Sequence, residues 1–147
     1  MIKEKTEANG NNGMFYVKTL GIVFNTKTRK ILIGRREEDP HVKNLTWSFP
    51  GGRTKQDIEI EEGVEEIIKE KTGLNVKSLG CISSGFARIP NENKNLLLLY
   101  YLCELLNGEE KPSSKFKELK WVSPEELENY FTTTFDPRIK EYILNLR

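Results

Sequence analysis

The stretch from Trp47 to Leu74, WSFPGGRTKQDIEIEEGVEEIIKEKTGL, constrains the fold of this chain more than any other part of its sequence. A short extended segment ends at Pro50-Gly51-Gly52, and a strongly acidic segment follows it. Between Glu59 and Thr72 apolar residues recur at helical spacing, and Gly73 stands where helices commonly end in a left-handed residue. The pattern predicts an amphipathic helix that begins shortly after a glycine turn.

Strand-like segments flank this motif on both sides, each a run of β-branched or aromatic residues bounded by turn residues. Two further helix starts follow, at Ser123-Pro124-Glu125-Glu126 and at Asp136-Pro137, each with a capping residue before a proline. The continuous apolar run LLLLYYL indicates a central strand buried on both faces. The predicted strands are residues 14–25, 30–36, 45–49, 76–89, 94–106 and 116–122.

Strands outnumber helices in this order, and hairpins connect most of them. We therefore predict an α/β fold, an α/β/α sandwich around a mixed β-sheet, rather than a doubly wound parallel sheet. A chain of 147 residues is long enough for one hydrophobic core. We expect residues 14–147 to form a single domain and residues 1–13, which are polar and rich in Asn and Gly, to form a disordered tail.

The balance of charges and apolar runs argues against several classes of protein. Lys and Arg (23) nearly cancel Asp and Glu (22), so the broad basic field of a general nucleic-acid binder is not expected. The longest apolar run, Leu96 to Leu106, is too short for a bilayer, and the N-terminus lacks the apolar core of a secretory signal. Cys81 and Cys103 lack metal-ligand spacing, which predicts two buried free thiols. These features predict a cytoplasmic protein that does not bind membranes.

The glycine turn and the acidic helix together point to phosphate chemistry. Glycines let the backbone approach a ligand, and a helix presents residues three or four apart as one ridge. Carboxylates on such a ridge hold Mg²⁺ or Mn²⁺ against a diphosphate, where the metal neutralises charge and positions a water molecule. The reaction expected from such a site is hydrolysis of a phosphoanhydride.

The same stretch resembles the signature of the Nudix hydrolases: Gly, five residues, Glu, seven residues, then Arg-Glu-apolar-any-Glu-Glu-any-Gly-apolar. The alignment needs no gap, and the order of the surrounding strands extends the resemblance from about Phe15 to Leu146. Five positions satisfy the signature: Gly52, Ile68, Glu70, Gly73 and Leu74. Four positions depart from it: Ile58, Glu66, Ile67 and Lys71.

The resemblance implies metal ligands at the positions of Ile67, Glu70 and Lys71, of which only Glu70 is a carboxylate. One hypothesis is a rebuilt site for Mg²⁺ or Mn²⁺, in which Glu66 and Glu70, four residues apart, chelate one ion and Glu62 extends the ridge. Another is that Lys71 contacts a phosphate directly. The plain alternative is an ordinary solvated helix face, stabilised by pairs four residues apart.

The second hypothesis adds further groups around Lys71. Its anion pocket would join Lys71 with four nearby cations: Arg35, Arg36, Arg53 and Lys55. The residues predicted to bind substrate are Gly51, Gly52, Arg53, Lys71 and Arg35, and in the first hypothesis Arg53 also stabilises charge beside the metal. His41, on a loop before the turn, and Glu118 are candidate general bases. An aromatic wall for a base is sought among Trp47, Phe49, Phe86 and Tyr100. Trp121 is expected to anchor the last helix.

Two functions follow from these residues. The first is a Nudix-type hydrolase that cleaves a nucleoside diphosphate linked to another group, with catalysis by Glu70 and Glu66 and a metal held by Glu62, Glu66 and Glu70. The alternative is a non-catalytic module of the same fold that binds a nucleotide or phosphometabolite and whose affinity survives EDTA. A protein-interaction domain without a ligand is a third, weaker possibility. The expected partner is a small-molecule nucleotide, and the resemblance to the Nudix hydrolases implies a homodimer.

Overall fold

The computed structural model describes residues 15–36, 47–89, 93–111, 113, 116–131 and 136–146. The predicted tail of residues 1–13 and the loop that carries His41 lie outside these residues. The strands are β1 (Phe15–Asn25), β2 (Lys30–Arg35), β3 (Trp47–Ser48), β4 (Gly51–Arg53), β5 (Leu74–Ile89), β6 (Lys94–Gly108) and β7 (Glu118–Val122). The helices are α1 (Ile60–Thr72), α2 (Leu127–Tyr130), which a 3-10 turn at Pro124–Glu126 precedes, and α3 (Pro137–Leu144).

The strands form one mixed sheet in the order β3-β2-β1-β6-β5, with β4 paired to β1 and β7 paired to β2. Strands β1 and β6 are parallel, while β1–β2 and β5–β6 are antiparallel. Strand β6 therefore has a neighbour on each side, which confirms the prediction that the run LLLLYYL is central. Its residues Leu96 to Leu99 are only half-buried, however, so the prediction that the run is buried on both faces is wrong for this part of the strand, whereas Tyr100 and Tyr101 are buried.

Helix α1 forms where the apolar spacing predicts it. Val64, Ile67 and Ile68 are buried against the sheet. A Cβ atom on Gly21 of β1 would collide with the side chain of Ile68, so this glycine lets the helix pack closely. The helix ends at Gly73, which has φ 83° and donates its N–H to the Lys69 carbonyl at 2.9 Å. The left-handed conformation is the one that glycine adopts without steric cost.

Two apolar clusters lie on the two faces of the sheet. On the face that α1 covers, Val23, Leu32, Tyr101 and Cys103 pack with the helix residues Val64 and Ile68. Helices α2 and α3 cover the opposite face. Their buried side chains, Leu127, Ile139 and Ile143, pack with the strand residues Leu20, Ile22 and Ile33. Successive residues of a strand point to opposite faces, so the longer strands, such as β1 and β2, contribute to both clusters. This is the predicted α/β/α arrangement.

Two predictions about single residues are wrong. Trp121 pairs in the sheet with Leu32 and packs on the α1 face, so it does not anchor the last helix. Its indole N–H donates to Glu110 at 2.8 Å. Cys103 is buried as predicted, but Cys81 is exposed because β5 is the last strand of the sheet order. None of the helices in the described part of the chain is long and apolar enough to span a membrane.

Candidate functional site

Strand β4 brings the two glycines of the turn against β1. Gly51 pairs with Leu20 and Gly52 with Thr19 in antiparallel register, and the N–H of Gly21 donates to the Pro50 carbonyl at 2.8 Å. A Cβ atom on Gly51 would collide with the carbonyl oxygen of Thr19, so only glycine fits this close approach. The backbone of β4 is therefore held firmly and stays bare of side chains on its α1 face.

Lys71, in the last turn of α1, brings a positive charge to this backbone. Its ammonium donates a hydrogen bond to the carbonyl oxygen of Gly51. A Cβ atom on Gly52 would lie 3.0 Å from the same Nζ, so the ammonium covers the glycine at the place where a side chain would stand. A cation in the last turn is also favoured by the partial negative charge at the helix C-terminus. The structure thus brings together Gly51, Gly52 and Lys71.

Glu66 and Glu70 converge on a single cation, and that cation is a lysine. The Nζ atom of Lys55 lies 2.7 Å from Glu70 Oε2 and 3.5 Å from Glu66 Oε1. The hydrogen bond to Glu70, helped by the charges of both carboxylates, raises the pKa of Lys55 above its ordinary value despite the opposing effect of desolvation. The two carboxylates that sequence reasoning paired do face one point in space.

The other acidic residues of α1 have different surroundings. Glu61 accepts from the Ser78 hydroxyl at 2.7 Å, and Glu65 accepts from the Ser78 N–H at 2.8 Å, which ties the helix to β5. Glu62 lines a shallow depression together with Glu59, Glu61 and Tyr101. The structure therefore does not bring Glu62 to the pair formed by Glu66 and Glu70.

The residues present do not fit the metal centre that the resemblance implies. At the first of the three implied positions Ile67 is a buried hydrocarbon, and at the third Lys71 places an ammonium on the glycine backbone. Among the described residues, no group of three or more His, Cys, Asp or Glu side chains is arranged to hold a metal ion. A conventional divalent-metal site is thus not built into this helix.

Arg53 lies on the other face of the sheet from Lys71. It pairs with Lys18 in the register of β1 and β4, and its guanidinium carbon is 4.5 Å from the centre of the Tyr16 ring. The Nζ of Lys94 is 4.9 Å from the centre of the same ring. Because neighbouring residues of a strand point to opposite sides, Gly52 faces α1 and Arg53 faces away. The structure does not place Arg53 in one pocket with Lys71.

Arg35 is also separate, since its Nε donates to Glu118 Oε1 at 3.1 Å on the exposed end of β2 and β7. Arg35, predicted to bind substrate, and Glu118, a candidate general base, therefore bind each other. The sequence did not predict that Tyr16 lies beneath Arg53 and Lys94. This contact depends on the register of β1 against β4 and β6, which only the structure shows. The role of Lys55 as partner of both glutamates was likewise missed.

The four aromatic candidates differ sharply in burial. Phe49 and Tyr100 belong to the core opposite α1, where their rings meet edge to face at 6.4 Å. Trp47 packs edge to face on Tyr130 at 5.4 Å. Phe86 of β5 is 63% exposed, and its ring centre lies 5.9 Å from that of Phe15 at the start of β1. Phe86 is thus the most accessible of the four.

The fold is an α/β/α sandwich in which strand β4, with its two glycines, meets the acidic helix α1. The chain belongs to the Nudix family, because the NUDIX domain model matches residues 14–146. This match confirms the predicted family, whose members act on small-molecule nucleotides.

The relatives support the same assignment. A MutT-like protein of Streptomyces ambofaciens is 25% identical over 123 residues, which are 84% of this chain and 73% of that protein. An ADP-ribose pyrophosphatase of Methanocaldococcus jannaschii is 31% identical over 121 residues, 80% of this chain and 68% of that protein. The crystal structure of a MutT protein from Methanosarcina mazei superposes with a TM-score of 0.70 at 19% identity, covering 92% of this chain and 94% of that one. This likeness confirms the predicted fold class.

Proposed function

We propose that the protein binds a nucleoside diphosphate linked to another group, and that lysine ammonium groups take the place of a divalent cation beside its phosphates. The observation that carries the proposal is the position of Lys71, whose ammonium bonds to the Gly51 carbonyl and lies against the backbone of Gly52. An ammonium has a full charge and three N–H donors, so it attracts a phosphate as a point charge.

The glycine backbone supports the same proposal. Gly52 has no side chain, so no atom of this residue stands between the Lys71 ammonium and an approaching phosphate. The family position that Lys71 occupies belongs to a metal-binding carboxylate, and a positive charge there attracts the anion that the metal otherwise neutralises. In this proposal a positive charge faces the phosphate, as in a metal site, but a lysine side chain carries it instead of an ion.

The class of ligand is supported by the relatives. The archaeal relative at 31% identity carries the name ADP-ribose pyrophosphatase, and ADP-ribose is a nucleoside diphosphate linked to a second group. The exposed ring of Phe86 is the candidate for stacking on a base, since stacking needs an accessible aromatic face. These features support the ligand class and leave its second group to experiment.

The test is a titration of nucleoside triphosphates, dinucleotides, nucleotide sugars and ADP-ribose into the protein, each with Mg²⁺ and with EDTA. We expect binding that EDTA leaves unchanged and that Lys71→Met weakens about tenfold or more, since one charge-assisted hydrogen bond has that magnitude. Lys27→Met, in the exposed turn between β1 and β2, is the matched control. Binding that disappears with EDTA, or that ignores Lys71→Met, contradicts the proposal.

A second candidate is metal-assisted hydrolysis of the same compounds, as the first hypothesis from the sequence states. The observation that favours it is the convergence of Glu66 and Glu70 on one point, which a chelating pair requires. An ion of Mg²⁺ or Mn²⁺ at that point must first displace Lys55. Release of phosphate that depends on the metal and is abolished by Glu70→Gln would favour this candidate over binding alone.

Three further properties stay predictions. The family match over residues 14–146 supports one domain at residues 14–147. Light scattering on the purified chain distinguishes a homodimer from a monomer. Fractionation of the producing cell tests the cytoplasmic location.

A further inference from the structure

Lys55 is placed on α1 by a glycine of that helix. A Cβ atom on Gly63 would lie 3.7 Å from Lys55 Cβ and 3.8 Å from Lys55 Cγ, so the stem of the lysine packs over this bare position. Glu66 and Glu70 follow Gly63 by three and seven residues and therefore continue the same ridge of the helix. The stem is thereby aimed along the ridge, and the ammonium arrives between the two carboxylates.

The geometry points to Lys55 as a built-in counter-cation: its ammonium holds the position between Glu66 and Glu70 and keeps divalent cations off helix α1. The inference concerns the protein without any nucleotide and does not rest on the proposed function. It explains a disagreement, because this member of the family carries two carboxylates on the ridge and yet no group of side chains in the described part of the chain is arranged to hold a metal ion.

Tethering gives Lys55 an advantage over an ion from solution. The lysine is joined to the helix by a few residues of chain, so its effective concentration at the carboxylates is that of an intramolecular partner, on the order of millimolar or higher. The packed stem reduces the freedom that the side chain must lose, since only a third of its surface is exposed (33%). A divalent ion must displace this ammonium before it can reach the two carboxylates.

Removal of the ammonium should therefore unmask a divalent-cation site. The decisive measurement is direct Mn²⁺ binding to the nucleotide-free protein, followed by electron paramagnetic resonance of the free ion at low ionic strength and neutral pH. Lys55→Met keeps the packed stem and removes the charge, and Lys55→Gln is a second, polar version. We expect both variants to bind Mn²⁺ about tenfold tighter than the wild type, because an opposing charge is removed and two carboxylates are freed.

Two controls separate this effect from a general change in charge. Lys69→Met removes a cation of the same helix whose Nζ donates to the Gly73 carbonyl at 3.5 Å, and it should leave Mn²⁺ affinity at the wild-type value. Adding Glu70→Gln to Lys55→Met should abolish the gain. The inference is overturned if the Lys55 variants bind no tighter than the wild type, if Lys69→Met gains as much, or if the gain survives Glu70→Gln.

Discussion

The guanidinium of Arg53 lies 4.5 Å from the centre of the Tyr16 ring, on the face of the sheet opposite helix α1. The Lys71 ammonium lies against Gly52, the residue before Arg53, on the α1 face of the sheet. If phosphate is bound on the α1 face, Arg53→Gln will weaken nucleotide binding much less than Lys71→Met. Calorimetric titration of both variants measures this difference, with Arg29→Gln as control because Arg29 also lies over a ring, that of Phe24, at 5.1 Å. Equal losses for Arg53 and Lys71 would place the ligand across both faces.

The two glycines of β4 should respond differently to alanine. Gly51→Ala forces a Cβ atom into the backbone of β1, so we expect a loss of about 1–3 kcal/mol in the free energy of unfolding. Gly52→Ala places its Cβ atom 3.0 Å from the far end of the flexible Lys71 side chain and at an ordinary contact distance of 3.5 Å from Ile67, so stability should change little while nucleotide affinity falls. Urea unfolding and ligand titration of both variants check the two effects. Loss of stability at Gly52 equal to that at Gly51 contradicts this assignment.

Phe49 and Phe86 differ in burial, so their alanine variants should differ in the free energy of unfolding. Phe49 is 4% exposed and packs on both Tyr100 and Phe131, so Phe49→Ala should cost about 3–5 kcal/mol of stability. Phe86 is largely exposed, and Phe86→Ala should cost less than about 1 kcal/mol. Thermal and urea unfolding measure both. If Phe86 stacks on a base, its alanine variant will instead lose nucleotide affinity at nearly unchanged stability.

The 3-10 turn that precedes α2 makes the stability of the fold depend on pH. Glu126 accepts from the backbone N–H and the hydroxyl of Ser123, each at 3.0 Å, and the backbone bond above all lowers the pKa of Glu126. A carboxyl whose folded pKa is lowered stabilises the fold above its unfolded pKa, near 4.3, and this contribution disappears as pH falls through the folded pKa.

Glu126→Gln should therefore lower the unfolding midpoint at pH 6 and leave it at the wild-type value at about pH 2. Glu141→Gln, an exposed substitution on α3, should show no such convergence. Urea unfolding at a series of pH values gives the comparison. A difference between wild type and Glu126→Gln that stays constant down to low pH would show that the carboxylate charge does not stabilise this segment.

The two cysteines should differ in reactivity. Cys81 is exposed, whereas Cys103 is buried and burial raises the pKa of its thiol to about 12. Since the thiolate is the reactive form, a thiol reagent at pH 8 should modify Cys81 alone in the folded protein and both cysteines in denaturant. Cys81→Ser should leave the folded protein unreactive. Rapid modification of Cys103 in that variant would indicate local opening of β6.

The elements of this fold were largely predictable from local signals. Helix α1 was marked by its apolar spacing and by Gly73, and the 3-10 turn before α2 by Ser123 and the proline that follows it. These signals act over a few residues, so they are legible without tertiary structure. The Nudix signature was legible for the same reason, because its spacing runs along one turn and one helix. The exposure of Cys81 was not, since it depends on which strand ends the sheet.

The sequence by itself determined the family, the α/β/α sandwich and the pairing of Glu66 with Glu70 on one helical ridge. Only the tertiary structure decided that Lys55 is the cation between them, because that contact depends on a lysine outside the helix packing over Gly63. It also decided that Arg53 and Lys71 face away from each other. The physical reason is that strand alternation assigns sides only relative to a register, and the register of β4 on β1 is set by long-range pairing.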